Sequence, residues 1–246
     1  MGTIVTFDLF DERGFHEDAV YQAFKDAASI LHAIDEIFST WKPESPMSRL
    51  RRGDIDVVSA PPEVGIVLEQ CRIAKEVSGG WFDPWALPGG VDPTGYVKGW
   101  AAQSALAMLE KLSARGAIVN AAGDVAVAGQ PSGESPFRVG VINPFSTSSL
   151  ACVVEVFGAI ATSGDYERGA HLLNPFTGEL TTALASATVC GPDLALADAL
   201  ATALAVGGDE VLDRIGALDA YEAFAIERDG TWKMTEGFTL SSEVAL

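Results

Sequence analysis

Val20, Phe24, Ala27, Leu31, Ile34 and Phe38 recur every three or four positions. That spacing lines one face of a helix, and it predicts an amphipathic helix over Glu17–Phe38. Residues 1–7 ahead of it read as a first strand, and the polar, proline-punctuated stretch 39–46 behind it reads as a loop. Pro61, Pro62 and Glu63 open a second helix, with Ser59 or Ala60 near its cap. It runs through Val64, Leu68, Cys71 and Val77 and stops at Gly79-Gly80. The following loop, 81–95, holds three prolines and three glycines, a composition that shapes a chain instead of loosening it. A third helix is expected from Tyr96 to about Leu112, ending at Gly116. Short β-rich runs follow at 117–121, 125–128, 137–142, 151–157 and 186–190. Two further helices are predicted at 193–206 and 210–215. A closing hairpin pairs 221–227 with 231–234 across Asp229-Gly230, a turn dipeptide. No internal repeat and no low-complexity linker interrupts the chain. The helices segregate from mainly antiparallel strands, which predicts an α+β class in a single domain spanning 1–246.

Composition narrows the function. Hydrophobic residues make up 48% of the 246 positions and charged residues 20%, an ordinary globular mixture long enough to bury a sizeable core. No run of about 18 apolar residues occurs, so no membrane span is expected. Residues 1–7 lack the basic start and hydrophobic block of an export signal, so a cytoplasmic location is expected, with an omitted upstream segment as the alternative. Cys71, Cys152 and Cys190 are odd in number, widely spaced and set among apolar neighbours, which reads as buried thiols in a reducing compartment. The net charge of −18, from 16 basic and 34 acidic residues, makes nucleic acid a poor partner. It also means that an anionic ligand would need a metal ion, helix N-termini or backbone amides to supply local positive charge.

Against that background, a few polar residues stand out. Asp198 and Thr202 are four apart on the predicted helix 193–206, which places a carboxylate and a hydroxyl on one face. A hard cation such as Mg²⁺ takes that pair of oxygens; the alternative is that Asp198 solvates an otherwise apolar helix. Lys98, expected in the first turn of its helix, opposes the macrodipole and suggests an anion to meet, with plain surface placement as the alternative. Asp92 either accepts from ligand hydroxyls or closes an Asx turn. Trp41 on its polar loop either stacks a planar ligand or is partly buried. Residues 120–124 read as a turn between two strands. Thr162-Ser163-Gly164 can turn amides and hydroxyls toward a phosphate. His171 precedes a turn among ligand-type residues, whereas His16 and His32 read as solvent-facing.

Taken in order, five blocks resemble the ApbE-type FAD:protein FMN transferases: 1–3, 38–50, 80–99 with 120–124, 162–178 and 197–204. The resemblance implies an α+β fold with two lobes around a flavin cleft that holds FAD and Mg²⁺. Such an enzyme breaks the FAD pyrophosphate, moves FMN onto a Ser or Thr hydroxyl of an acceptor flavoprotein as a phosphoester, and releases AMP. Carried over by motif, Asp198 and Thr202 become metal ligands, with the Gly95 backbone carbonyl as a third. Met1 and Trp41 fall at flavin-contacting positions, Trp41 replacing the more usual Tyr. Asp92, Lys98 and the backbone of Trp85-Ala86-Leu87 match FAD-contacting positions, and Thr162, Ser163 and Gly164 lie in the phosphate-side block. His171 matches the histidine beside the diphosphate. Its imidazole suits it as the base for the attacking hydroxyl, with orientation of the diphosphate as the alternative. The chain departs from the pattern at Arg51, where Asn is frequent, at Ala122, where Gly is common, and at Ala201, which is acidic in some members. The remaining alternatives are an FAD pyrophosphatase and a flavin-binding protein without turnover.

Overall fold

Small residues on one face of the sheet and large ones on the other decide how the layers stack. The computed structural model describes residues 3–11, 14–164, 172–181, 183–241 and 245. In chain order the elements are β1 (Val5–Phe10), α1 (Glu17–Phe38), α2 (Pro46–Arg52), α3 (Pro62–Val77), α4 (Thr94–Glu110), β2 (Gly116–Ala121) and β3 (Asp124–Gly129). Then come β4 (Phe137–Asn143), β5 (Ser146–Val156), β6 (Ala159–Gly164), β7 (Ser186–Gly191), α5 (Leu194–Gly207), α6 (Asp209–Gly216), β8 (Glu222–Ile226) and β9 (Trp232–Met234). Seven strands form one sheet in the order β1-β2-β3-β6-β7-β8-β9, and every neighbouring pair is antiparallel. The β4–β5 hairpin forms a second, two-stranded sheet. The α+β expectation therefore holds.

Successive strand residues point to opposite faces. On one face, Ala126, Ala159, Ala161, Ala187, Ala223 and Ala225 join the core shared with α1, α4 and α5. On the other, Val125, Val127, Ile160, Phe224 and Ile226 pack against Val141, Val154 and Val156 of the hairpin. With both faces covered, β3 is buried almost throughout, which explains its lack of polar alternation. The alanine face lets helices come close. At Gly99 of α4, an added Cβ would lie 2.5 Å from the Leu194 carbonyl oxygen, so the α4 and α5 backbones nearly touch there. Helix α5 is consequently buried on all sides, with Asp193 capping its start by accepting the Leu196 N–H at 2.8 Å.

The predicted helices and the closing hairpin are present with boundaries shifted by a few residues. Two elements were not foreseen. Helix α2 occupies part of the supposed loop: Ser45 caps it through Ser48 N–H at 3.0 Å, Pro46 opens it and Gly53 ends it in a left-handed conformation. Residues 159–164, outside the predicted strands, form β6, whose pairing with β7 runs through Gly164↔Ser186. Neither Ser59 nor Ala60 caps α3. Pro61 stands at that position without a side-chain hydrogen bond, and the Ser59 N–H is taken by Asp56 at 2.8 Å. The cysteines are free thiols, and burial raises Cys71 and Cys190 to about 12 and Cys152 to about 11. Among the described residues no helix is long and apolar enough to cross a membrane.

Candidate active site

A cleft of about 750 Å³ opens where the end of α1, the 81–95 loop and the start of α4 face the β2–β3 turn, the end of β6 and α5. Its floor is built on rigid elements. The β2–β3 connection is a two-residue turn with Ala122 at φ 52° and Gly123 at φ 94°, the geometry of a type I′ hairpin. Asn120 holds it by accepting the Gly123 N–H at 2.8 Å. The turn sets Asp124, only 1% exposed, beneath the cleft-lining Lys98, at the first position of β3. There it forms an ion pair with Lys98, and its Oδ1 accepts the Thr162 N–H at 3.2 Å.

Asp198 is 3% exposed, and its Oδ1 lies 3.7 Å from the Lys98 ammonium. Its other oxygen, Oδ2, is buried with no hydrogen-bond partner. Burial pushes the Asp198 carboxyl up, to about 8; Lys98 pulls it down and the charge of Asp124 adds to the rise. A buried carboxylate oxygen left unmatched is costly unless something positive or hydrogen-bonding meets it. One turn further along α5, the Thr202 hydroxyl lies 3.4 Å from that of Ser163. Gly95 faces the same place: a Cβ built there would sit 3.8 Å from Thr202 Oγ1 and 3.2 Å from the Phe82 ring. The donors gathered here are a carboxylate, hydroxyls and glycine backbone. Among the described residues no group of three or more His, Cys, Asp or Glu could hold a metal ion. Oxygen donors of these kinds are ones that a hard cation takes alongside water and substrate oxygens.

Of the predicted site residues, Trp41, Leu87, Asp92, Gly95, Lys98, Thr162, Ser163, Gly164, Asp198 and Thr202 line this one cleft. Trp85 and Ala86 do not. The Trp85 ring lies under Arg72 and Lys75, with the cations 5.6 Å and 6.0 Å from its centroid, and the Ala86 N–H donates to the Asp83 carbonyl. Met1 and His171 lie outside the described residues; Thr3 and Leu172, close to each in sequence, reach the cleft.

Several readings sharpen. Asp198 does not solvate its helix, since it is buried. Lys98 belongs to the second turn of α4, because that helix begins at Thr94, so it is an acid across the cleft floor and not the macrodipole that explains its position. Trp41 is 91% exposed at the rim, not packed against the fold. Asp92 does make the Asx turn, accepting the Thr94 N–H at 3.1 Å, while also lining the cleft. His16 and His32 are exposed as expected. Asp124 was read only as the end of a turn. The signal in hindsight is an acid opening a strand whose next three residues are all buried. Trp81, on the same loop, also lines the cleft, and its ring meets Phe176 edge-on at 4.8 Å.

Known proteins agree with this architecture. The sequence profile described as the ApbE family matches residues 1–89 and 87–224. A protein of Rhodobacter capsulatus named FAD:protein FMN transferase is 37% identical over 136 residues, 52% of this chain and 26% of that protein. One of the same name from Haemophilus influenzae is 32% identical over 133 residues, 49% of this chain and 38% of that one. These matches therefore span well under half the length of either relative. The solved flavin transferase ApbE of Vibrio cholerae superposes with a TM-score of 0.81 at 19% identity, covering 98% of this chain and 94% of that one. The ApbE protein of Thermotoga maritima gives 0.81 at 22% identity, covering 96% and 94%. At such identities the superpositions speak for the fold, and the profile match, which spans nearly the whole chain, speaks for descent: the chain belongs to the ApbE family.

Proposed function

We propose that this protein transfers FMN from FAD to a Ser or Thr hydroxyl of an acceptor protein, forming a phosphoester and releasing AMP, with Mg²⁺ as cofactor. The observation that carries the reading is the partly exposed Lys98, flanked by the buried Asp124 and Asp198, with Asp198 Oδ2 unmatched at the floor of a cleft of about 750 Å³. Asp198, Thr202 and the Gly95 carbonyl would hold Mg²⁺, which supplies charge neutralisation to the diphosphate.

Phosphoryl transfer asks little covalent help of a protein and much positioning. Here Trp41 offers its exposed face to the isoalloxazine ring, and Lys98, held by Asp124, brings positive charge to the phosphates of FAD. The acceptor oxygen attacks the FMN phosphorus, the bond from that phosphorus to the bridging oxygen breaks, and AMP leaves with the bridging oxygen. We assign the acceptor's hydroxyl proton to His171. Incubation with FAD, Mg²⁺ and a panel of candidate acceptor domains is expected to give an FMN adduct, seen by intact mass. Absence of any adduct across the panel sinks the proposal. Equal release of FMN and AMP without an acceptor, at a rate matching transfer, would make water the nucleophile instead.

A further inference from the structure

The 81–95 loop carries Leu87, Asp92 and Gly95 to the cleft, yet it has little regular structure of its own to hold it. Its first part is tied to α3 by the Lys75–Asp83 ion pair at 2.7 Å; its 88–92 part is held by Arg51, near the end of α2 and far away in sequence. One edge of the guanidinium meets backbone: Nε donates to the Gly89 carbonyl and Nη2 to the Pro88 carbonyl, each at 3.2 Å. The third nitrogen, Nη1, donates to Asp92 Oδ2 at 2.8 Å, with both side chains mostly buried. The loop is moulded to this arginine. Gly89 and Gly90 both have left-handed φ, at +83° and +100°. A Cβ would lie 3.2 Å from Arg51 Nη2 at Gly89, and 3.2 Å from the Arg51 carbonyl oxygen at Gly90. The other oxygen of Asp92 accepts the Thr94 N–H, at the start of α4 and one residue before Gly95. The chain of bonds therefore passes from α2 through Arg51 and Asp92 to the backbone beside the candidate metal ligand.

We infer that Arg51 is a positioning residue that clamps the 84–95 loop and so sets the affinity of the cleft for its FAD ligand; the ligand's identity rests on the transferase reading above. Arginine suits this task where lysine does not, because its planar fork satisfies three acceptors in fixed directions. Asp92, with both oxygens engaged, is then a fixed acceptor with lone pairs to spare for a ligand hydroxyl.

Two measurements test this. Hydrogen exchange on the ligand-free protein reads the clamp: Arg51→Ala is expected to speed exchange of the Asp92 and Thr94 amides, which wild type holds through Pro84 O and Asp92 Oδ1. Titration with FAD in the presence of Mg²⁺ reads its consequence. Arg51→Ala is expected to raise the dissociation constant and the KM for FAD about tenfold, with kcat changed less than about threefold. Arg51→Lys should recover only part of the loss, and Arg51→Ala made on top of Asp92→Asn should cost clearly less than on its own. Unchanged exchange, or a parallel fall of kcat and kcat/KM that tracks the folded fraction, overturns the clamp. Wild-type protein that bound no FAD would sink the transferase reading, while the exchange contrast would still decide whether Arg51 holds the loop.

Discussion

The floor and the rim of the cleft are built by different physics. The floor sets Lys98, Asp124 and Asp198 on two helices and a strand whose backbones are pressed together by alanine and glycine, and both acids are out of water. The rim presents Trp41, 91% exposed, and a proline- and glycine-rich loop whose 88–92 part is held by Arg51. Charges in the floor act through a low dielectric, so each carries much of the site's energy. Groups on the rim act through contact area and can change without disturbing the fold. Under the proposed function, chemistry falls to the floor and ligand choice to the rim.

Substitutions separate the two. The largest effect is expected for Asp198→Asn, an isosteric change that keeps the packing but removes the unmatched charge: transfer should fall about a hundredfold or more, by analogy with loss of one key electrostatic group. The same variant carries a pH signature. The Asp198 carboxyl sits near its ordinary value in the unfolded chain and is pushed up to about 8 in the fold. Between about pH 4 and 8 the native state therefore holds a proton that the unfolded state lacks, so this group's contribution to stability declines as pH rises through that window. Thermal melts of metal-free protein should show that decline in wild type, a flatter profile in Asp198→Asn, and recovery of wild type alone when Mg²⁺ is added. Equal slopes in both proteins would mean that burial does not raise the Asp198 carboxyl.

Asp124→Asn should come next. It removes the acid paired with Lys98, leaving the Asp198 carboxylate at 3.7 Å, and breaking a largely buried pair costs on the order of 2–3 kcal/mol after allowing for the partly exposed lysine. Denaturant melts read that loss, and a drop in transfer of at least about tenfold should accompany it. On the rim, Trp41→Ala should leave stability within about 0.5 kcal/mol of wild type yet weaken flavin binding about tenfold, whereas Trp41→Tyr keeps a stacking face. A large loss of stability in Trp41→Ala would erase the distinction between floor and rim. The smallest effect belongs to Ala122→Gly, which relieves a left-handed alanine in the floor turn and should stabilise the protein by about 1 kcal/mol.

Local periodicity made most elements legible. The stripe ending at Phe38 names its own helix because Ala27, Leu31, Ile34 and Phe38, three or four apart, meet the same core. Helix α2 escaped because seven residues give too short a period to see, although Ser45, Pro46 and Gly53 were its caps. Strand β6 escaped because Thr162-Ser163-Gly164 has turn composition, and only pairing with β7 makes it extended. In the site, the four-residue step from Asp198 to Thr202 was readable, since a helix preserves it wherever the helix goes.

What the chain alone determined, then, was where most helices and strands lie, that Asp198 and Thr202 share a face, and that so acidic a protein needs local positive charge for an anionic ligand. What tertiary structure decided was which partner each charge meets. Lys98 reaches Asp124 because the β2–β3 turn places that acid at the cleft floor, and Asp198 is buried because Gly99 lets α4 close on α5. Arg51 finds Pro88, Gly89 and Asp92 because the loop folds back over α2. Spacing along a helix is set by local backbone geometry, whereas these encounters depend on register and approach between segments far apart in the chain.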